Sequence, residues 1–319
     1  MNVPTLRARR IAGLLAIALV PAALAAPSLA KGGSRRAVAH GANARPASAR
    51  HLPSPRMYRL HHGAGEPTIG FTKSGTIYFT ASDGCVSTCP GSDEALSLVA
   101  PGGRVVLASA DKGKTWEDRT PGIHPVSPHV ISLDPYLFVD TTPEGSRIFD
   151  LDSTLACAEL SFSDDEGKTW LTNPLACGEP VNDHQTLFAG PPVSSPTVAY
   201  PKVLYYCFNH PEFTKCSKSL DGGLSFMPTA NIVPPECSGL NGHGVTDAKG
   251  TVYVPLGSCG QPKLAISTDE ADNWKVIQVA PMPSDGGGDP SVAVDEKGTL
   301  YYLFVGAPDR LPYLVTSKD

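Results

Sequence analysis

The sequence predicts an all-β fold, a β-propeller built from four-stranded antiparallel blades. The first observation is an octapeptide pattern, S-x-D-x-G-x-[TS]-[WF]. It begins at Ser109, Ser163, Ser219 and Ser267, so successive copies lie 54, 56 and 48 residues apart. The second is that β-forming runs flank the copies, and no long amphipathic helical pattern follows residue 57. A period of about 50 residues is typical of repeat architectures. Four full blades and part of a fifth are expected.

Each copy of the octapeptide predicts a tight hairpin turn closed by an aromatic side chain. Ser and Asp side chains hydrogen-bond nearby backbone N–H groups, and Gly supplies a positive φ without steric cost. In the fourth copy Ala271 replaces this Gly, which predicts a strained or slightly different turn. The residues assigned these structural roles are Ser109, Asp111, Gly113, Trp116, Ser163, Asp165, Gly167, Trp170, Ser219, Asp221, Gly223, Phe226, Ser267, Asp269 and Trp274.

A second hairpin is predicted upstream of the octapeptide. The turn at residues 73–75 separates two β-like runs, and the turns at 247–250 and 295–298 do the same later in the chain. Two hairpins in each period make a four-stranded antiparallel unit, and such units arranged radially form a propeller.

The octapeptide resembles the Asp box of the sialidase-like propellers, also called BNR repeats. The resemblance covers the chain from about residue 57 to its end, with three good copies and one degraded copy. It implies that the Asp boxes lie on the face opposite the active site and hold the fold together. Because this family more often has six or seven blades, the chain is expected to be a C-terminally incomplete propeller. The alternative is a five-bladed propeller closed by residues 57–60.

The N-terminal region predicts export. Residues 1–30 read as a signal peptide, with Arg7, Arg9 and Arg10 before a short apolar run and small residues at a cleavage site. That run is too short to span a membrane. Residues 31–56 hold six Lys or Arg and no acid, which predicts a disordered basic tether, either a spacer or a contact for an acidic cell wall. The propeller at 57–319 is therefore expected to be secreted, without a transmembrane span, and monomeric.

The charge of the predicted propeller limits its partners. Residues 57–319 contain 17 Lys or Arg against 31 Asp or Glu, a formal charge of −14. This balance argues against nucleic acid as a partner. An extracellular glycan or protein surface is expected instead. No cofactor is required, although the acidity is compatible with Ca²⁺.

The eight cysteines of an exported chain suggest disulfides. Pairing in sequence order would keep every bridge within one blade or between neighbours, but eight cysteines allow 105 connectivities. The sequence contains no CxxC motif of the kind that binds zinc, so no metal site is predicted. The proposed pairs, in order, are Cys85–Cys89, Cys157–Cys177, Cys207–Cys216 and Cys237–Cys259.

Polar residues recur near the start of each predicted inner strand, which suggests one acid or histidine per blade converging on the axis. They form a ligand-binding ring or, alternatively, only cap strand ends and bind channel water. The ligand-binding candidates are Glu66, Asp183, His184, His243, Asp289 and Arg310, with His129 and Asp134 as further members of the ring.

The catalytic residues are left open, with Glu66, Asp83 and Asp289 as candidates and Asp93 as an alternative to Asp83. The family resemblance implies an arginine clamp for the sialic acid carboxylate, but Glu66 stands near the place of the first arginine. Arg104 was expected far from the ligand face. A binding propeller is therefore favoured over a glycoside hydrolase acting on another sugar, and both over an exo-sialidase. Two carboxylates about 5–9 Å apart in a pocket would favour hydrolysis.

Overall fold

The computed structural model describes residues 56–58, 65–82, 104–121, 134–153, 158–174, 183–210, 213–232, 241–256, 260–285 and 289–318. The predicted signal peptide and nearly all of the tether lie outside these ranges. Asp83, Asp93 and His129 lie outside them too. All regular structure in the described part is β, and none of it contains a helix able to cross a membrane.

Five antiparallel sheets follow one another along the chain, each a meander in sequence order. Blade 1 contains β1 (Gly65–Phe71), β2 (Ile77–Ser82), β3 (Arg104–Ser109) and β4 (Glu117–Asp118). Blade 2 contains β5 (Tyr136–Thr141), β6 (Ser146–Ser153), β7 (Ala158–Ser163) and β8 (Leu171–Pro174). Blade 3 contains β9 (Asp183–Gly190), β10 (Val203–His210), β11 (Phe213–Ser219) and β12 (Met227–Pro228). Blade 4 contains β13 (Val245–Thr246), β14 (Val252–Leu256), β15 (Lys263–Ser267) and β16 (Lys275–Gln278). Blade 5 contains β17 (Ser291–Val294), β18 (Leu300–Val305) and β19 (Pro312–Ser317). Four blades of four strands and one of three strands confirm the predicted architecture.

The first strand of each blade contacts the first strands of its neighbours, so β1, β5, β9, β13 and β17 form the inner wall. Because each blade is a meander, the connection between its second and third strands lies at the end where the inner strand begins. We call this end the mouth. The octapeptide turns connect third and fourth strands at the other end, which we call the Asp-box face.

The core lies between consecutive blades, because each central strand buries both of its faces. In β10, Leu204 and Tyr206 pack with residues of blade 2, whereas Tyr205 and Cys207 pack with residues of blade 4. All four are essentially inaccessible to solvent. The alternation follows from the two-residue period of a β-strand. A strand buried on both faces reads as a continuous apolar run, as the sequence around Val203–His210 does.

The four Asp boxes share one hydrogen-bond pattern. In the first box the Ser109 hydroxyl donates to Asp111 Oδ1 at 2.9 Å and accepts from Gly113 N at 2.8 Å. The Asp111 carboxylate accepts from Thr115 N at 2.9 Å and from the Thr115 hydroxyl at 2.7 Å. One carboxylate thus holds both ends of the turn. The corresponding bonds occur in the boxes that begin at Ser163, Ser219 and Ser267.

The fourth box keeps this geometry although it lacks the glycine. Ala271 adopts φ 68°, in the left-handed region that the other boxes fill with glycine, and it donates to the Ser267 hydroxyl at 2.9 Å. Its side chain is fully buried in the core between blades 3 and 4. The left-handed backbone of Ala271 agrees with the predicted strain, because this conformation is costly for a residue that carries a Cβ.

The fourth residue of the second, third and fourth boxes connects its blade to the preceding one. Glu166, in the box of blade 2, accepts hydrogen bonds from Ser74 Oγ at 3.0 Å and from the Tyr78 hydroxyl at 3.1 Å, both in blade 1. Glu270, in the box of blade 4, accepts from the backbone nitrogens of residues 193, 194 and 195 in blade 3 at 2.7, 2.9 and 3.1 Å. Gly222 O, in the box of blade 3, accepts from Arg147 of blade 2 at 2.8 Å.

One of the proposed disulfides is present. Cys207 of β10 and Cys216 of β11 lie opposite each other in the sheet of blade 3 and are bonded, with both residues fully buried. The other six cysteines lie outside the described residues, so their pairing stays a prediction.

Removing this disulfide should destabilise blade 3. We expect the double variant Cys207→Ala/Cys216→Ala to lose about 3 kcal/mol in the free energy of unfolding, because the unfolded chain regains the entropy of the open loop. Urea unfolding followed by tryptophan fluorescence measures the change. A loss below about 1 kcal/mol would contradict a structural role.

The Asp boxes should make the fold sensitive to acid. Hydrogen bonds from the Thr115 and Thr169 backbones lower the pKa of Asp111 and of Asp165 to about 2. Since the carboxyl of an unfolded Asp has a pKa of about 3.9, this stabilisation is complete above pH about 4 and is lost as the pH falls towards 2. Asp165→Asn should lower the melting temperature at pH 7 and flatten its decline between pH 4 and 2. Glu296→Gln, at an exposed carboxylate in a hairpin turn, is the control.

Candidate functional site at the mouth of the channel

Two inner strands carry a bulge where they enter the mouth. In blade 1, Gly65 pairs with Ser82 and Thr68 with Thr80, so β1 holds one more residue than its partner strand over this stretch. In blade 3 the same excess lies between Asp183 and Thr186 of β9. The bulges contain Glu66 at φ 48° and His184 at φ 53°. A bulge redirects side chains and is common beside functional sites.

Glu66 and Asp134 form a carboxyl pair that joins blades 1 and 2. Their side chains are hydrogen-bonded to each other, with Glu66 exposed and Asp134 partly buried. Burial and the neighbouring Glu66 charge raise the pKa of Asp134 to about 7, and Asp183 acts in the same direction. Below pH about 7 the pair therefore holds one proton, because two carboxylates in contact cannot both ionise readily.

Blades 3 and 5 meet through His184 and Asp289. His184 Nε2 lies 3.3 Å from Asp289 Oδ2, and His184 Nδ1 lies 3.1 Å from the backbone oxygen of Asn241. The His184 side chain is 23 % exposed and the Asp289 side chain 46 %. One ring nitrogen therefore meets a backbone acceptor below the mouth while the other meets a carboxylate open to solvent.

Aromatic rings close the space between these two pairs. The Tyr136 and His243 rings lie 4.7 Å apart between centroids, and His243 lies nearly parallel to His184 at 6.4 Å. Burial raises the pKa of Tyr136, with a smaller contribution from Asp134. Desolvation lowers the pKa of His243, and the neighbouring His184 adds to this shift. Phenol and imidazole are thus both neutral at pH 7.

Buried amide side chains support the mouth from below. Gln185 donates from Nε2 to the backbone oxygen of Asp134, and Asn209 Oδ1 accepts from Asn241 N at 3.2 Å. Gln185 and Asn241 are almost completely buried. Gln185 Oε1 and Asn241 Oδ1 meet no donor among the described residues. Gly242 lies so close to the Pro290 carbonyl oxygen that no side chain would fit there.

All five described blades thus contribute to one network of contacts, and most of the proposed ring residues belong to it. Asp183 belongs to this network because its charge raises the pKa of Asp134. Arg310 is different. Its Nε lies 3.0 Å from Asp285 Oδ2 and its side chain is 78 % exposed, so its role in ligand binding stays a prediction. The described residues include no cluster of three or more potential metal ligands.

Sequence reasoning did not single out Tyr136, Gln185 or Asn241. A signal for Tyr136 was available, because an acid–proline pair precedes the inner strand in three blades, at Glu66–Pro67, Asp134–Pro135 and Asp289–Pro290. The residue that follows each pair lies in the inner strand that lines the channel. No comparable pattern indicated the two amides, because their role depends on contacts between blades.

The arginines with described ion pairs are engaged with other acids. Arg104 lies at the mouth end of β3, level with Ser82 and Gly65, contrary to the expectation that it is far from this face. Its side chain is buried between blades 1 and 2, where it pairs with Asp150 and Asp152. Arg119, Arg147 and Arg310 pair with Glu117, Asp164 and Asp285.

The fold is similar to that of a known sialidase. The Hadza microbial sialidase Hz136 matches 81 % of this chain at 16 % identity, with a TM-score of 0.53. The chain has a sialidase-like propeller fold. It spans 57 % of the length of Hz136. The chain matches no protein-family model and no curated protein sequence.

Two other structures show weaker similarity, on which no argument rests. A mutant of the NanB sialidase from Streptococcus pneumoniae matches 80 % of this chain and 41 % of its own at 13 % identity, with a TM-score of 0.48. The GH74 xyloglucanase from Xanthomonas campestris matches 76 % of this chain and 35 % of its own at 18 % identity, with a TM-score of 0.49.

Neutralising Glu66 should lower the pKa of its partner. In Glu66→Gln the burial of Asp134 remains but the repulsion is gone, so the pKa of Asp134 should fall below 7 and stay above the ordinary value of about 3.9. Titration of the side-chain carboxyl carbons by NMR measures this. Glu296→Gln should leave the Asp134 titration unchanged. An unchanged titration in Glu66→Gln would contradict the pairing.

Proposed function

We propose that this chain is a secreted propeller that binds an extracellular glycan at its mouth, without the arginine clamp of sialidases. The observation that carries the proposal is the contact network from Glu66 and Asp134 through Tyr136 and His243 to the His184–Asp289 pair. It brings hydrogen-bonding groups and ring faces together where inner strands of all five blades meet.

The chemistry of this network suits sugars. Carboxylates and imidazoles exchange hydrogen bonds with hydroxyl groups, and an aromatic side chain with a polar end combines an apolar face with such bonding. A few placed polar groups beside ring faces are typical of small-molecule sites. The acidic mouth would repel the carboxylate of a sialic acid, and the arginines with described ion pairs are paired with acids of this chain.

The spacing of Glu66 and Asp134 argues against these two residues as a pair of hydrolytic carboxyl groups. Glycosidases that use two carboxyl groups hold them at least about 5 Å apart so that they flank the scissile bond. Glu66 and Asp134 instead share a hydrogen bond. A tyrosine nucleophile, as sialidases use, would need a readily ionised phenol, whereas burial raises the pKa of Tyr136.

Glycoside hydrolysis is the second candidate function, and one observation favours it. Asp134, with its pKa raised to about 7, would hold a proton at neutral pH as a general acid must. Asp289 would then be the second carboxylate. In this case the chain would turn over a non-sialic glycoside, and Asp134→Asn would abolish the turnover.

The binding proposal is tested on protein secreted from the full chain. We expect a glycan array to show a restricted set of ligands and calorimetry to give their affinities. Asp289→Asn should weaken binding about tenfold or more, since one hydrogen bond to a charged group contributes about 1.5–3 kcal/mol. His243→Ala should weaken binding about two- to tenfold, since a hydrogen bond to a neutral group contributes about 0.5–1.5 kcal/mol. Glu296→Gln should bind as the parent does, and melting temperatures establish that all three variants are folded.

Two results would contradict the proposal. One is the absence of any glycan ligand for folded protein. The other is turnover of fluorogenic glycosides that is lost in Asp134→Asn, which would establish the hydrolase instead.

A further inference from the structure

The mouth concentrates acidic groups from four blades. Glu66, Asp134, Asp183 and Asp289 come from blades 1, 2, 3 and 5, and His184 is the basic group in contact with them in the described structure. This repulsion acts on Asp134, whose pKa is raised by burial and by the charges of Glu66 and Asp183. His243 does not compensate for this charge, since its lowered pKa keeps the imidazole neutral.

An independent observation concerns the layer below. Gln185 Oε1 and Asn241 Oδ1 are hydrogen-bond acceptors on side chains that are almost wholly buried, and neither has a donor among the described residues. Gln185 is bonded to the Asp134 backbone and Asn241 to His184, so both lie directly behind the charged groups. A buried acceptor without a donor is costly. Asn209 Nδ2, a buried donor of the same layer, also lacks a partner among the described residues, so unpaired acceptors outnumber unpaired donors there by two to one.

We propose that the glycan bound at the mouth carries a free protonated amine, as unacetylated hexosamine units do. This inference rests on the proposed glycan-binding function. An ammonium group supplies three hydrogen-bond donors and a positive charge in a small volume. Placed among the mouth carboxylates it reduces their mutual repulsion, while the sugar ring lies against the Tyr136 and His243 rings. Acetylation removes the charge and two of the three donors.

Binding of the amine is coupled to a proton. The Glu66–Asp134 pair holds one shared proton at pH 6, and a cation beside the pair favours its fully ionised form. The proton then passes to the buffer while the amine keeps its own. Binding at pH 6 should therefore release up to one proton for each ligand bound, and the affinity should fall with ionic strength.

The experiment compares three tetrasaccharides on protein secreted from the full chain: β-1,4-linked glucosamine, its fully N-acetylated form and β-1,4-linked glucose. We expect glucosamine tetramer to bind at least tenfold more tightly than the other two. Calorimetry at pH 6 in two buffers of different ionisation enthalpy measures the released proton. Spermine is the fourth ligand and provides positive charge without a sugar ring.

A pair of matched variants identifies the groups involved. Glu66→Gln should remove the proton release and reduce the preference for the amine, because the shared proton is lost with the pair. Glu296→Gln removes an equivalent charge from a turn far from the mouth and should change neither. Melting temperatures show that both variants are folded.

The outcomes separate this inference from the function on which it rests. Equal or tighter binding of the acetylated or glucose tetramer overturns the amine preference and leaves the glycan-binding function intact. If spermine binds as tightly as the glucosamine tetramer, the proposed contact between the sugar ring and the aromatic rings is wrong. If glucosamine tetramer binds without releasing a proton, or binds equally well to Glu66→Gln, the amine does not bind at the Glu66–Asp134 pair. Failure of every glycan on the array contradicts the proposed function itself.

Discussion

The burial of both faces of each central strand is the constraint on which the rest of the structure depends. Phe149 of β6 illustrates it, with no solvent exposure, ring contacts to Phe138 and Phe162 of its own blade and a ring contact to Tyr200 of blade 3. Since a strand turns alternate residues to opposite faces, a shift of register by one residue would exchange the two faces and break both packing interfaces at once. The packing therefore fixes where each inner strand begins.

The chemistry of the mouth follows from that fixed position. The inner strands continue beyond the well-packed part of the sheet, and there the bulges at Glu66 and His184 depart from the regular pleat. Two non-glycine residues in the left-handed region persist only where the surroundings hold them. At His184 these surroundings are visible, because both ring nitrogens have partners from other blades. Strand bulges thus present Glu66 and His184 at the mouth.

The sequence was informative where the chemistry is local. The octapeptide predicts its own turn because all of its hydrogen bonds lie within a few residues, as those of Asp111 do. The ring of polar residues was foreseen because it recurs once per repeat. Partners from different blades were not foreseen. Nothing in the sequence joins Tyr136 to His243 or Gln185 to the Asp134 backbone, since these contacts depend on how far the blades turn about the axis.

The fourth residue of an Asp box, which in the second, third and fourth boxes bonds to the preceding blade, affects how a propeller can gain blades. Glu166 and Glu270 bind the blade that precedes their own, so each unit carries the means of its own attachment. A gene segment encoding one blade, copied in tandem, would bring both the new blade and its link to the old one. Elongation by duplication then needs no coordinated change elsewhere. In blade 3 Gly222 stands at this position, and Arg147 of the preceding blade makes the link by donating to its backbone oxygen.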